Sequence, residues 1–150
     1  MKILIQRASR GAVRIDGETV GQVGRGFVIL VGVRAGDDEA AATHLAQKTI
    51  ALRVFADATG KMNLSLQNIG GGVLVISQFT LYADTRKGNR PSFIRAAPPD
   101  LADRLYNHYV EALRASLGPD RVATGRFGAS MEVELINDGP VTIELNTDAE

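Results

Sequence analysis

The chain contains no cysteine. Disulfides, thiolate nucleophiles and cysteine metal sites are excluded with it, and nothing speaks for an oxidising secretory compartment. Histidine is scarce: His44 and His108 are the two present. Both fall in segments of helical periodicity, away from the polar motifs described below, where surface or helix-packing roles fit better than roles as bases or metal ligands. Charge of one sign is not in excess, since Lys plus Arg equals Asp plus Glu at 17 each. No global field therefore draws in nucleic acid, DNA is not expected as a partner, and any RNA contact must be local. Long apolar runs are missing as well. GFVILVGV at 26–33 is too short to cross a bilayer, and MKILIQRAS lacks the apolar core and cleavage site of a signal peptide. A soluble, cytoplasmic protein without membrane contact is expected. Catalytic signatures are missing too: there is no GxSxG elbow, Walker loop, dinucleotide fingerprint or HExxH. No metal or other cofactor is expected, and any chemistry must lean on backbone amides, hydroxyls and the substrate's own groups.

What is present is enough for one domain, taken as 1–150: 150 residues, 45% hydrophobic and 23% charged, bury a sizeable core. MKILIQRA and AVRIDGETVGQV read as strands, the second interrupted by a DGE turn, and GFVILVGV is apolar enough to be buried on both faces. Asp37 and Asp38 open an alanine-rich helix in which Ala41, Leu45 and Leu52 recur, ending near Arg53. A second helix spans Pro99 to Leu117, with Leu101, Leu105, Tyr109, Leu113 and Leu117 spaced four apart, and Gly118-Pro119 stops it. A short strand surrounds Asn63, and VLVISQFTL is a strand beyond the triple glycine at 70–72. RVATGRF, SMEVELI and PVTIEL form three more in succession. There is no repeat, low-complexity tract or linker. The fold class is α/β: a mixed, largely antiparallel sheet with barrel-like β layers, covered by two main helices.

Four stretches carry polar groups in unusual places. SQFTL at 77–81 ends the apolar run Val73 to Ile76, and polar residues at a buried strand end must be paired or face a cavity. Extended backbone there would put Gln78 and Thr80 on one side and Ser77 and Phe79 on the other; the solvent-facing end of a strand is the plainer reading. The loop at 82–100 carries Arg86, Lys87, Arg90 and Arg95 around Phe93, with Asp84. Such a set can track a phosphate backbone and stack on a base, although an ordinary solvated loop explains it too; Gly88 and Pro91 give it shape. In TGRFGASM at 124–131 two glycines bracket Phe127, marking either a close approach or a simple strand connection. Finally, NDGPVT at 137–142 places Gly139-Pro140 where Asp138-Gly139 alone would supply a turn. It is either an ordinary turn whose proline opens the next strand, or a rigid tip presenting main-chain atoms.

Taken together, SQFTL, RPSF at 90–93, TGRFGASM and NDGPVT, with the opening IQRAS and DATGKMNLS at 57–65, resemble the D-aminoacyl-tRNA deacylase family over nearly the whole chain. Ser130 departs from the family's pattern, which often has an acidic or bulkier residue there. The resemblance implies hydrolysis of the ester joining a D-amino acid to the acceptor end of tRNA; sterics further predict that glycine, lacking a side chain, is not fully excluded, so that glycyl-tRNA mischarged on alanine tRNA is a further expected substrate. The resemblance also implies a homodimer in which a cis Gly139-Pro140 loop reaches into the partner's active site and rejects L-amino acids by bulk. Ser77, Gln78, Phe79 and Thr80 are then the catalytic segment. Phe127 and Met131 line the pocket near the terminal adenosine, and Arg7 and Arg90 hold the acceptor stem. Two activators are open: the Thr80 hydroxyl as nucleophile, or the vicinal 2′-hydroxyl of the tRNA activating water, which is the reading preferred here. A non-catalytic RNA-binding module and a small serine or threonine hydrolase are the rival readings.

Overall fold

The computed structural model describes residues 1–148. Strand β1, Lys2–Ile15, is one element rather than two: Ser9, Arg10 and Gly11 continue it. The alternation falters there because β1 changes partner. Asp16 and Gly17 both take positive φ, the two-residue turn whose twist suits a hairpin, and lead to β2, Glu18–Val23. Lys2 to Ala8 of β1 pair with β3, Gly26–Gly32, and Gly11 to Ile15 pair with β2. β3 is almost wholly buried, as its unbroken apolar run requires.

Helix α1, Glu39–Ala51, starts just after the acidic pair rather than with it. Asp38 is its N-cap, accepting from the Ala41 amide at 2.9 Å, while Asp37 lies outside and accepts from the Arg34 amide. β4, Phe55–Ala56, and β5, Met62–Leu64, form a small hairpin, followed by the single turn α2, Leu66–Ile69. β6, Gly72–Ser77, pairs in parallel with β3. Helix α3, Pro99–Leu117, has the expected bounds. Its buried face is wider than the four-residue repeat, because at 3.6 residues per turn that repeat drifts round the axis and Tyr106 and Val110 fill the other side. Where α1 meets α3, the buried Thr49 hydroxyl donates to the Leu45 carbonyl and pairs with Tyr109 Oη at 2.8 Å.

β7, Val122–Thr124, is parallel to β6 and shorter than RVATGRF suggests. The sheet order is β2-β1-β3-β6-β7, and it nearly closes: a Cβ on Gly21 of β2 would lie 2.4 Å from the Thr124 carbonyl oxygen of β7. Under α1 and α3 lies the larger core, including Ile3, Phe27, Ile29, Leu105 and Tyr109; a smaller one, with Val13, Val28 and Leu74, fills the other face. The fold is thus a single-domain α/β structure with a mixed, nearly closed sheet and few helices.

The last two expected strands are one, β8, Glu132–Asn146, antiparallel to β1 along its whole length. Gln6 faces Thr142 and Ala8 faces Asn137, so four residues, 138 to 141, are extruded opposite Arg7 alone. NDGPVT is therefore neither a hairpin turn nor a strand opening. It is a bulge thrown out of a continuous ladder, where a proline without N–H costs no ladder bond.

Candidate active site

Strands β3, β6 and β7 run parallel, and beyond their carboxyl ends lies a cavity of about 570 Å³, the position where open α/β sheets bind ligands. Val31, Val33 and Ile76 make its floor, Ala97, Pro99 and Ala102 one wall, and Phe127, Ala129 and Met131 another. Ser77, Gln78 and Phe79 form the polar edge. The chain does not stay extended there: Phe79–Tyr82 is a 3-10 turn. The bend starts at Gln78, whose amide donates to the Val31 carbonyl at 2.7 Å and whose carbonyl accepts from the Leu81 amide at 3.2 Å. It is set by close packing, since a Cβ on Gly32 would meet Leu81 Cβ at 2.9 Å. The expected alternation of Gln78 and Thr80 against Ser77 and Phe79 is thereby lost.

The turn leaves the first two amides, Phe79 and Thr80, without an acceptor among the described residues. Gln78 Nε2 donates to Thr80 Oγ1. Among the described residues no acid, lysine or histidine side chain is hydrogen-bonded to Thr80 or Ser77. His108 pairs with Thr43 Oγ1 at 2.9 Å between α1 and α3, and His44 is exposed on α1. Phe127 packs on Tyr106, 6.3 Å between ring centroids, and Tyr106 Oη donates to the Val75 carbonyl at 2.8 Å. Burial pushes the Tyr106 phenol up to about 12. Met131 lies so close to Gly125 that a Cβ there would come within 2.5 Å of its sulfur. The cavity is thus a largely apolar chamber, with the turn that carries the two amides beginning at its edge.

The bulge of β8 is exposed at Gly139 and Pro140, and the bond between them is cis. Neither residue lines the cavity of its own chain. Its base is held from both sides. Arg7 Nε donates to the Asp138 carbonyl at 2.9 Å and another Arg7 nitrogen donates to the Val54 carbonyl at 2.6 Å. Gln6 Oε1 accepts from both Asn137 Nδ2 and Thr142 Oγ1, and Asn137 Oδ1 accepts from the Val141 amide at 2.7 Å. Gln6, Asn137 and Thr142 lie inside the motifs IQRAS and NDGPVT, but the sequence assigned them no role of their own; the signal was polar side chains at both ends of an interruption in a half-buried alternation.

The loop after the 3-10 turn is pinned, not solvated at random: Asp84 and Ser92 exchange two backbone hydrogen bonds of 2.7 and 2.9 Å. Arg86 forks onto the Asp84 carboxylate at 2.9 and 2.6 Å and holds its pKa down at about 2. Arg90 is exposed at the tip and does not line the cavity.

Residues 4–146 match the family model described as D-Tyr-tRNA(Tyr) deacylase. Curated relatives named D-aminoacyl-tRNA deacylase agree end to end. That of Symbiobacterium thermophilum is 56% identical over 148 residues, covering 99% of this chain and 97% of that protein. That of Azoarcus sp. is 57% identical over 145 residues, covering 97% and 95%. The chain belongs to the D-Tyr-tRNA(Tyr) deacylase family. Its deacylase relatives are hydrolases by name. A solved structure described as c-Myc DNA Unwinding Element Binding Protein superposes with a TM-score of 0.94 at 40% identity, covering 99% of this chain and 100% of that one. Another, described as a probable eukaryotic D-amino acid tRNA deacylase, shares the fold, with a TM-score of 0.85 at 17% identity over 96% and 97% of the two chains.

Within this deacylase-family chain the structure brings Ser77, Gln78, Phe79, Phe127 and Met131 to one cavity, with Thr80 on the adjoining turn. It does not bring Arg7, Arg90, Gly139 or Pro140 to that cavity. Arg7 directs its guanidinium to the bulge and is only 13% exposed. Among the described residues, no three His, Asp or Glu side chains gather where a metal ion could be held. No helix among the described residues is long and apolar enough to cross a membrane.

Proposed function

We propose that this chain hydrolyses the ester linking a D-amino acid to the terminal ribose of tRNA, in the cytoplasm and as a homodimer. The observation that carries the reading is the pair of amides of Phe79, which lines an apolar cavity, and Thr80, next to it on the turn, both without an acceptor among the described residues. Water attacks the ester carbonyl carbon, and the oxyanion that forms is stabilised by those two amides, donors already fixed in place before charge develops. Collapse releases the free D-amino acid and the ribose hydroxyl of the tRNA. Ser77 and Gln78 orient the ester and the α-amino group, and Phe127 and Met131 support the terminal adenosine.

Among the described residues no acid, lysine or histidine side chain is hydrogen-bonded to Thr80, and its hydroxyl accepts from Gln78. The attacking water therefore gives its proton to the vicinal 2′-oxygen of the substrate as the 2′-hydroxyl passes its own proton to the departing ribose oxygen, and Thr80 is not the nucleophile. Thr80→Ala is expected to keep substantial activity, while a substrate ending in 2′-deoxyadenosine is expected to be nearly inert. Single-turnover rates on both decide between the two activators.

Handedness is selected by rejection. The Gly139-Pro140 tip of one subunit lies over the cavity of its partner, where its main-chain atoms meet an L-side chain and leave a D-side chain free. Support comes from the clamp on the tip by Arg7, Gln6, Asn137 and Thr142. Glycine, with no side chain to reject, is accepted in part, so glycyl-tRNA is a secondary substrate. The deciding measurement compares release of D- and L-tyrosine from matched aminoacyl-tRNAs. Rapid loss of D-tyrosine alone is the expected result; RNA binding without turnover, or equal loss of both, overturns the proposal.

A further inference from the structure

Two aromatic rings at the cavity mouth are not used by the hydrolysis described above. Phe79 is 55% exposed and Phe93 36%, yet they meet edge to face with centroids 5.0 Å apart. They come from different segments, the 3-10 turn and the pinned loop, and both line the cavity. Large exposed aromatics cost solvation unless something covers them. The same loop carries four cations, and their fates differ. Arg86 is neutralised by Asp84, and Arg95 lies 3.9 Å from Asp148 with its guanidinium over the Tyr82 ring. Lys87 and Arg90, both exposed at the tip, have no acidic partner among the described residues. A ring at the cavity mouth and two uncompensated cations a few residues away on the same backbone make a short track for single-stranded nucleic acid. Such tracks stack bases on aromatic faces and neutralise phosphates with Lys and Arg.

We infer that residues 84–93 form a second subsite for the unpaired 3′ end of the RNA. Phe93 stacks on a base one or more nucleotides before the terminal adenosine, and Lys87 and Arg90 hold the adjoining phosphates. The inference rests on the deacylase reading and extends it from the terminal nucleotide to the strand leading to it. The Asp84–Ser92 bridge closes the loop on itself, so its shape is fixed before the RNA arrives.

The test compares two substrates, D-tyrosyl-tRNA and D-tyrosyl-adenosine, the second having no phosphate and no neighbouring base. Phe93→Ala is expected to lower kcat/KM for the tRNA at least tenfold more than for the nucleoside, through KM, the scale of one lost base stack being about tenfold. Phe93→Trp is expected to restore it. The double variant Lys87→Ala/Arg90→Ala, exposed and harmless to folding, is expected to reduce the slope of log KM against log salt by about 1.4 for the tRNA, as for two lost contacts to a single strand. Equal losses on both substrates would make Phe93 a wall of the amino-acid pocket, and an unchanged salt slope would leave the cations without a phosphate; either overturns the inference. Failure of the unaltered protein to hydrolyse either substrate would instead sink the deacylase reading, so the two outcomes are distinct.

Discussion

Gln6 satisfies Asn137 and Thr142 with one side-chain oxygen, and Asn137 passes its own oxygen to the Val141 amide. Each link faces a group that would be left short of a partner if another were removed, so the three act as one unit. Asn137→Ala is expected to loosen the tip without unfolding the sheet. Hydrolysis of L-tyrosyl-tRNA should then rise relative to the D-isomer by about tenfold, the loss of ~1.4 kcal/mol of discrimination; an unchanged ratio would separate the clamp from selectivity. Tyr106 is a second residue whose role can be measured. Its neutral phenol is buried beside Phe127, and its pKa of about 12 exceeds the ordinary value of 10.0. A raised acid pKa stabilises the fold fully below about pH 10, and that contribution is lost as pH climbs from about 10 toward 12, because the unfolded chain ionises first. Tyr106→Phe should flatten the alkaline decline expected in urea melts between about pH 10 and 12. At neutral pH it should cost about 1 kcal/mol, the Val75 carbonyl losing its shorter hydrogen bond and keeping the Gly125 amide at 3.4 Å.

At the scale of elements, the parallel pairing of β3 with β6 shapes the cavity, and it depends on two backbones meeting at Gly26 and Gly72. A Cβ on Gly26 would lie 1.8 Å from the Gly72 carbonyl oxygen. Gly70, two residues earlier, caps α2 with φ 62 and has open space around it. The two glycines therefore predict different costs. Gly70→Ala should lose about 1–2 kcal/mol from the left-handed conformation alone. Gly26→Ala should lose more than about 3 kcal/mol or fail to fold, because a backbone oxygen cannot move aside as a side chain can. Denaturant midpoints on the two variants check this, and equal losses would contradict the packing argument. Helix α3 was legible from its proline start and its four-residue repeat, and β3 from its unbroken apolar run. The 3-10 turn at Phe79 was not, because what bends the chain is the space above Gly32, which belongs to another strand.

For the whole molecule, the bulge and the cavity do not meet within one chain. If selectivity works as proposed, the active unit is a pair, and sedimentation at micromolar concentration should give twice the 16.0 kDa of the chain. A subunit trapped as a monomer should lose discrimination between D and L before it loses its fold. A monomeric species that still rejects L-tyrosyl-tRNA would refute the crossed arrangement.

By itself the sequence determined what depends on near neighbours: the turn at Asp16-Gly17, the proline start and Gly118-Pro119 stop of α3, the unbroken apolar run of β3, and the lack of any cysteine or of a histidine beside the polar motifs. Its motifs also marked which segments would be polar in apolar surroundings. Only the tertiary structure decided that β1 and β8 are each continuous, that the chain turns at Gln78 to leave two amides free, and that Arg7 grips the Asp138 carbonyl across 131 positions of sequence. These are pairings between distant residues, set by which surfaces can close on one another, and local periodicity carries no record of them.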